Sequence, residues 1–66
     1  MTMTMKMARV GAGLTQQQVA DKMGIDVQTY LKMEKDSAGV TIREAKLFSE
    51  IVGVAWSEIF FGNESN

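Results

Sequence analysis

Apolar residues recur along this chain at helical rather than strand spacing, in short blocks separated by turn formers. Met5, Ala8 and Ala12 fall at i, i+3 and i+7 and predict a first helix over about residues 4–12 with those three inward. Gly11 lies inside it and costs on the order of 1 kcal/mol relative to Ala, so this helix should be short, with Gly13 just beyond it as a left-handed terminator. A second block opens at Thr15, where Gln18 completes a capping box, buries Val19, Ala20 and Met23, and stops at Gly24. Asp26 is a good N-cap for a third helix over 27–35. There Tyr30 and Met33 point inward and Leu31 partly so, leaving Val27, Gln28 and Lys32 outward with Thr29 beside them.

Residues 35–40 (KDSAGV) hold the turn formers of a loop, and Thr41 with Glu44 forms a second capping box. The fourth helix then runs to about residue 52. One stripe of it holds Ile42, Ala45, Phe48, Ser49 and Val52, and a second holds Leu47 and Ile51. Gly53 ends it, and a short fifth helix is expected over 56–61 with Ile59 and Phe60 inward. The opening MTMTMKM reads as a frayed start with several usable initiation codons, and residues 62–66 read as a disordered tail. The expectation is one all-α domain over 1–66, ordered from about 4 to 61, with five helices and no strand.

Sixty-six residues leave room for only a small core. With no Cys and no His, disulfides, thiolate chemistry and the usual zinc sites drop out, and no metal or cofactor is expected. No apolar run is long enough to span a bilayer and no signal-peptide pattern opens the chain, so a cytoplasmic protein without membrane or small-molecule partners is the plain expectation. The acidic residues are scattered caps and surface charges rather than a catalytic pair, and Gly11-Ala12-Gly13 lacks the continuation of a phosphate loop, so no enzyme is expected. Net charge is −1, unusual for a nucleic-acid binder, but its distribution is uneven. All seven basic residues lie before position 47, and only Glu50, Glu58 and Glu64 are charged after it.

Residues 14–34 have the layout of a helix-turn-helix: two short helices about a tight turn at Gly24 and Ile25, the second with a polar outer face. Direct base reading needs paired donors and acceptors near the start of that second helix. Gln28 fits adenine N6 and N7, Val27 offers apolar contact to a thymine methyl, and Lys32 reaches guanine or a phosphate one turn on. Helix starts with free amides provide phosphate positions: Thr15, Gln16 and Gln17 at one, Thr41, Ile42 and Arg43 at the other, with Lys35 and Ser37 in the loop beside it. The plain alternative is that these are ordinary solvated residues, and Arg43 in particular an unassigned surface charge.

The residues taken together resemble the helix-turn-helix domains of phage repressors and Cro proteins, the XRE or Cro/CI family. Arg9, Gly13-Leu14-Thr15-Gln16, Val19-Ala20, Met23-Gly24-Ile25, Glu34 and Val52-Gly53-Val54 ahead of residues 56–60 stand in that family's order and spacing. Lys35-Asp36 departs from the usual Asn or Arg followed by Gly, the common Pro before the fourth helix is missing, and Ala55 replaces a Ser or Thr cap. The resemblance implies a lambda-repressor-like fold and a transcriptional regulator that binds double-stranded DNA at a palindromic operator. It implies that Gln16 bonds a backbone phosphate and buttresses the recognition helix, and that Arg9 and Glu34 form a structural ion pair. Leu47, Ile51, Trp56 and Phe61 exceed the apolar surface so small a domain can hide, and with the resemblance they imply a homodimer contact. The alternative is a protein-binding module on the same fold, such as an antirepressor or antitoxin-like partner.

Overall fold

Residues 2–62 are described by a computed structural model. Four α-helices, α1 (Met5–Gly11), α2 (Gln16–Met23), α3 (Val27–Lys35) and α4 (Ile42–Val52), are joined by short turns, with 3-10 turns at Ser37–Gly39 and Trp56–Glu58. Every α-helix starts on a side-chain cap: Thr4, Thr15, Asp26 and Thr41 each accept a backbone N–H of the first turn. Thr15 with Gln18 and Thr41 with Glu44 complete both halves of the expected capping boxes. Gly13, Gly24 and Gly53 all take φ between +73° and +75°, and Gly24 and Gly53 cap α2 and α4 directly. At the helix-turn-helix corner this lets Ile25 donate its N–H back to the Ala20 carbonyl at 3.0 Å, closing the α2 end while the chain reverses.

Tyr30, Phe48, Met5 and Val19 are the largest fully buried side chains, surrounded by Ala8, Ala20, Met23, Met33, Val52 and Ile59. The Tyr30 and Phe48 rings, 6.3 Å apart between centroids, link α3 to α4. On α1 the buried face is Met5, Ala8 and Arg9 rather than Met5, Ala8 and Ala12, because Ala12 is already the cap residue of a helix that ends at Gly11. On α4 Ile42 is 64 % exposed, in contrast to its expected place in the core stripe; it is the first residue of the helix, beyond the reach of the layer formed by Ala45, Phe48 and Val52.

The largest departure is at the two ends of the chain. The expected fifth helix over 56–61 is only the three-residue 3-10 turn. Ala55 supplies no side-chain cap, and Ile59 leaves the turn in extended conformation. Ile59 then forms a parallel bridge with Met3: Met3 donates its N–H to the Glu58 carbonyl at 3.0 Å and accepts from Phe60 at 2.8 Å. The start of the chain is therefore pinned rather than frayed from Met3 onward. Extended backbone also alternates the side chains, so Ile59 is buried, Phe60 faces out at 38 % exposure, and Phe61 turns back against the core. This reverses the sequence expectation for the two phenylalanines. Of the expected tail, Gly62 is held by Ser37 and residues 63–66 lie outside the described residues.

Candidate nucleic-acid interface

The α2–turn–α3 unit is fixed from behind by one carboxylate. Glu34, on the last turn of α3, receives the Arg9 Nε–H from α1 at 2.6 Å and the Tyr30 hydroxyl on one oxygen. Its other oxygen receives the side-chain amide of Gln16, at the start of α2, at 3.1 Å. Arg9 also donates from Nη1 to the Leu14 carbonyl at 2.9 Å, tying the α1–α2 connection into the same cluster. The ion-pair side chains are 10 % and 8 % exposed, and no buried side-chain polar atom among the described residues lacks a partner. Burial on its own would raise the Glu34 carboxyl. The hydrogen bonds from Arg9, Tyr30 and Gln16 outweigh that and hold it below the usual carboxylate range. Burial, with the bond to Glu34, pushes the Tyr30 hydroxyl upward, while the bond to Glu34 raises Arg9 against the opposing effect of burial. All three groups thus keep their hydrogen-bonding protonation states through the neutral range.

In front of that cluster, α3 presents Gln28, Thr29 and Lys32 to solvent. Gln28 and Lys32 are four residues apart and share one face. Val27 is half-buried and packs against the core, so only part of its side chain is available to a base. At the α2 start the capping box occupies the Thr15 and Gln18 amides, at 2.8 and 3.1 Å, leaving the Gln16 and Gln17 N–H groups without intrahelical partners. The Gln17 side chain donates to Asp21 at 2.9 Å, and that of Gln16 is turned toward Glu34. The α4 start repeats the arrangement: Thr41 and Glu44 satisfy each other at 2.9 and 3.1 Å, and the Ile42 and Arg43 amides are left open beside an exposed Arg43 side chain.

Ser37 differs from its sequence expectation as a phosphate contact. It is 7 % exposed, and its hydroxyl accepts from the Gly62 N–H at 2.8 Å while facing the Gly62 and Phe60 carbonyls at 3.1 and 3.4 Å. The hydroxyl is spent on the C-terminal segment, whose course is set by the Met3–Ile59 pairing and the burial of Ile59. Lys35 remains exposed at the end of α3. Among the four residues expected at a dimer contact, Leu47 and Trp56 are exposed, whereas Ile51 and Phe61 are half-buried against the chain's own core. Lys46 places its ammonium 5.8 Å from the Trp56 ring centroid, a cation–π contact that covers part of that ring. The hydroxyl of Tyr30 was the cluster member sequence reading overlooked; its signal was the i, i+4 spacing from Glu34 on one helix face.

Among the described residues no helix is long and apolar enough to cross a membrane, and no group of His, Cys, Asp or Glu is placed to hold a metal ion. A helix-turn-helix family model of the XRE/Cro/CI type, a family not known as catalytic, matches residues 5–59, from the start of α1 to the residue that pairs with Met3. No curated protein and no solved structure matches the chain. The match covers both helices of the exposed polar unit, the Arg9–Glu34 cluster behind it and the α4 buttress, so the chain belongs to the Cro/CI (XRE) type of DNA-binding helix-turn-helix domains.

Proposed function

We propose that this protein is a sequence-specific transcriptional regulator of the Cro or stand-alone repressor kind, which lays α3 in the major groove of a palindromic operator. The observation that carries this reading is the pairing of Gln28 and Lys32 on one exposed face of α3, backed by a buried and fully bonded polar cluster. A reading helix must be both polar in front and rigid behind, because base hydrogen bonds tolerate little misplacement. Gln28 takes adenine N6 and N7, Lys32 takes guanine O6 and N7 or a phosphate, and the exposed part of Val27 contacts a thymine methyl. The open amides of Gln16, Gln17, Ile42 and Arg43, with the Thr15 and Thr41 hydroxyls and the Lys35 and Arg43 charges, hold the flanking phosphates and set the register. The single carboxamide and single ammonium of one recognition helix give modest discrimination, so two copies on an inverted repeat supply the rest. The exposed Leu47 and Trp56 are the surface by which those copies pair.

Selection on random duplex DNA tests the whole reading. The expected product is an inverted repeat whose affinity falls steeply between low and moderate salt. Gln28→Ala should lose preference at one position of each half-site, by about 1–3 kcal/mol, without lowering the melting temperature. A single, non-repeated half-site removes the dimer. No enriched motif, with partner capture that is indifferent to salt, overturns the regulator reading in favour of a protein-binding module.

A further inference from the structure

The outer face of α4 carries charges that the helix itself does not call for. Arg43 stands in its first turn and Glu50 in its last, and both are exposed. A helix favours anions at its start and cations at its end, so each charge sits at the disfavoured terminus. Neither is ion-paired within the chain: the one ion pair among the described residues is Arg9 with Glu34. With Ile42, Lys46 and Leu47 the two line an open groove along the helix. At 3.6 residues per turn, Arg43 and Glu50 fall within about 20° of each other around the helix and about 10 Å apart along it. Lys46 and Leu47 flank the line between them, about 50° to either side.

A face of that layout complements its own copy. When two α4 helices run antiparallel about a two-fold axis midway between Lys46 and Leu47, Arg43 of each chain meets Glu50 of the other. The same symmetry brings the two Leu47 side chains together on one flank. It would bring the two Lys46 ammonium groups together on the other, but each is drawn aside to its own Trp56 ring, 5.8 Å from the centroid. An acidic peptide in the groove would satisfy Arg43 and repel Glu50, whereas a second copy satisfies both. We propose that the outer face of α4 is a homodimer contact, an antiparallel pair held in register by reciprocal Arg43–Glu50 ion pairs beside a Leu47–Leu47 contact. Exposed ion pairs add little affinity but fix register and orientation, and Leu47 supplies the apolar burial. Arg43 keeps further N–H donors for a flanking phosphate. The inference rests on the dimer reading above and deepens it, giving the helix that pairs, its direction and its matching residues.

The test is sedimentation equilibrium without DNA on the full chain, on Arg43→Glu, on Glu50→Arg, and on an equimolar mixture of the two variants. The wild type is expected to dimerise, more weakly as salt rises. Each variant alone sets like charges against each other and should weaken self-association about tenfold or more. The mixture should regain it, because each variant supplies the charge that the other now lacks. Both exchanges suit the helix dipole at exposed positions, so thermal melts no lower than the wild type exclude unfolding as the cause. Variants that self-associate as well as a dimeric wild type overturn this face and leave the dimer reading standing. Weakened variants whose mixture stays monomeric overturn the proposed register. A wild type that is monomeric up to its solubility limit overturns the face and the dimer reading together, while the DNA selection judges the operator reading separately.

Discussion

Two polar clusters hold this small domain together, and they are built on opposite principles. Behind the recognition helix, one carboxylate collects donors from α1, α2 and α3: Arg9, Gln16 and Tyr30. In the second, one hydroxyl and a pair of backbone hydrogen bonds hold the two ends of the described chain: Ser37 on Gly62, and Met3 on Glu58 and Phe60. The first is charged, buried and made of long side chains whose places in the sequence are separately readable. The second is neutral and largely main-chain, and depends on segments meeting that have no local reason to meet. The lesson is that the helix-turn-helix unit proposed to face DNA is braced by side-chain chemistry, while the N- and C-terminal segments are closed by backbone pairing, which is the cheaper of the two to disturb.

Breaking the first cluster should have the largest effect. Glu34→Ala leaves the buried Arg9 guanidinium and the Tyr30 hydroxyl without their acceptor and should cost about 3–5 kcal/mol. In a domain of this size each kcal/mol shifts the melting temperature by roughly 4–8 °C, so a thermal melt decides the matter. An unchanged melting temperature would show that the ion pair contributes nothing.

Acid probes the same cluster more gently. The Glu34 carboxyl titrates below its ordinary value of 4.5, so its contribution is complete above that pH and is lost as pH falls through the lower folded value. The stability gap between wild type and Glu34→Gln, measured by urea unfolding, should therefore be widest near neutrality and narrow below about pH 4.5. A gap that is flat with pH would mean that the carboxylate's charge is not what it contributes.

The smallest effect belongs to the second cluster. Ser37→Ala removes the hydroxyl that holds Gly62 and should cost about 1 kcal/mol, readable in the same melts. DNA affinity should stay as it was, since the hydroxyl faces the C-terminal segment. A loss of binding without a loss of stability would instead return Ser37 to the DNA contacts and collapse the distinction between the two clusters.

The legible and illegible parts divide along the same line. Thr15 with Gln18, Thr41 with Glu44, Asp26, Gly24 and Gly53 are local signals, each acting on backbone groups a few residues away, and each stands in the structure as read. Arg9 with Glu34 spans 25 residues, and only its place in a recurring family pattern made it readable. The exposure of Ile42, the exchange of roles between Phe60 and Phe61, and the burial of Ser37 were not readable from periodicity. They follow from where a helix meets its neighbours and from an extended segment that helical spacing misassigns.

The sequence by itself therefore determined the four helices, their caps, the tight turn and the polar face of α3, because the forces that set them act within one or two turns of chain. The tertiary structure decided which polar groups remain free. It turned the Gln16 amide toward Glu34, consumed the Ser37 hydroxyl, and folded half of Val27 into the core. A donor or lone pair taken by one partner is closed to another, and which partner takes it depends on packing between segments that the chain order keeps far apart.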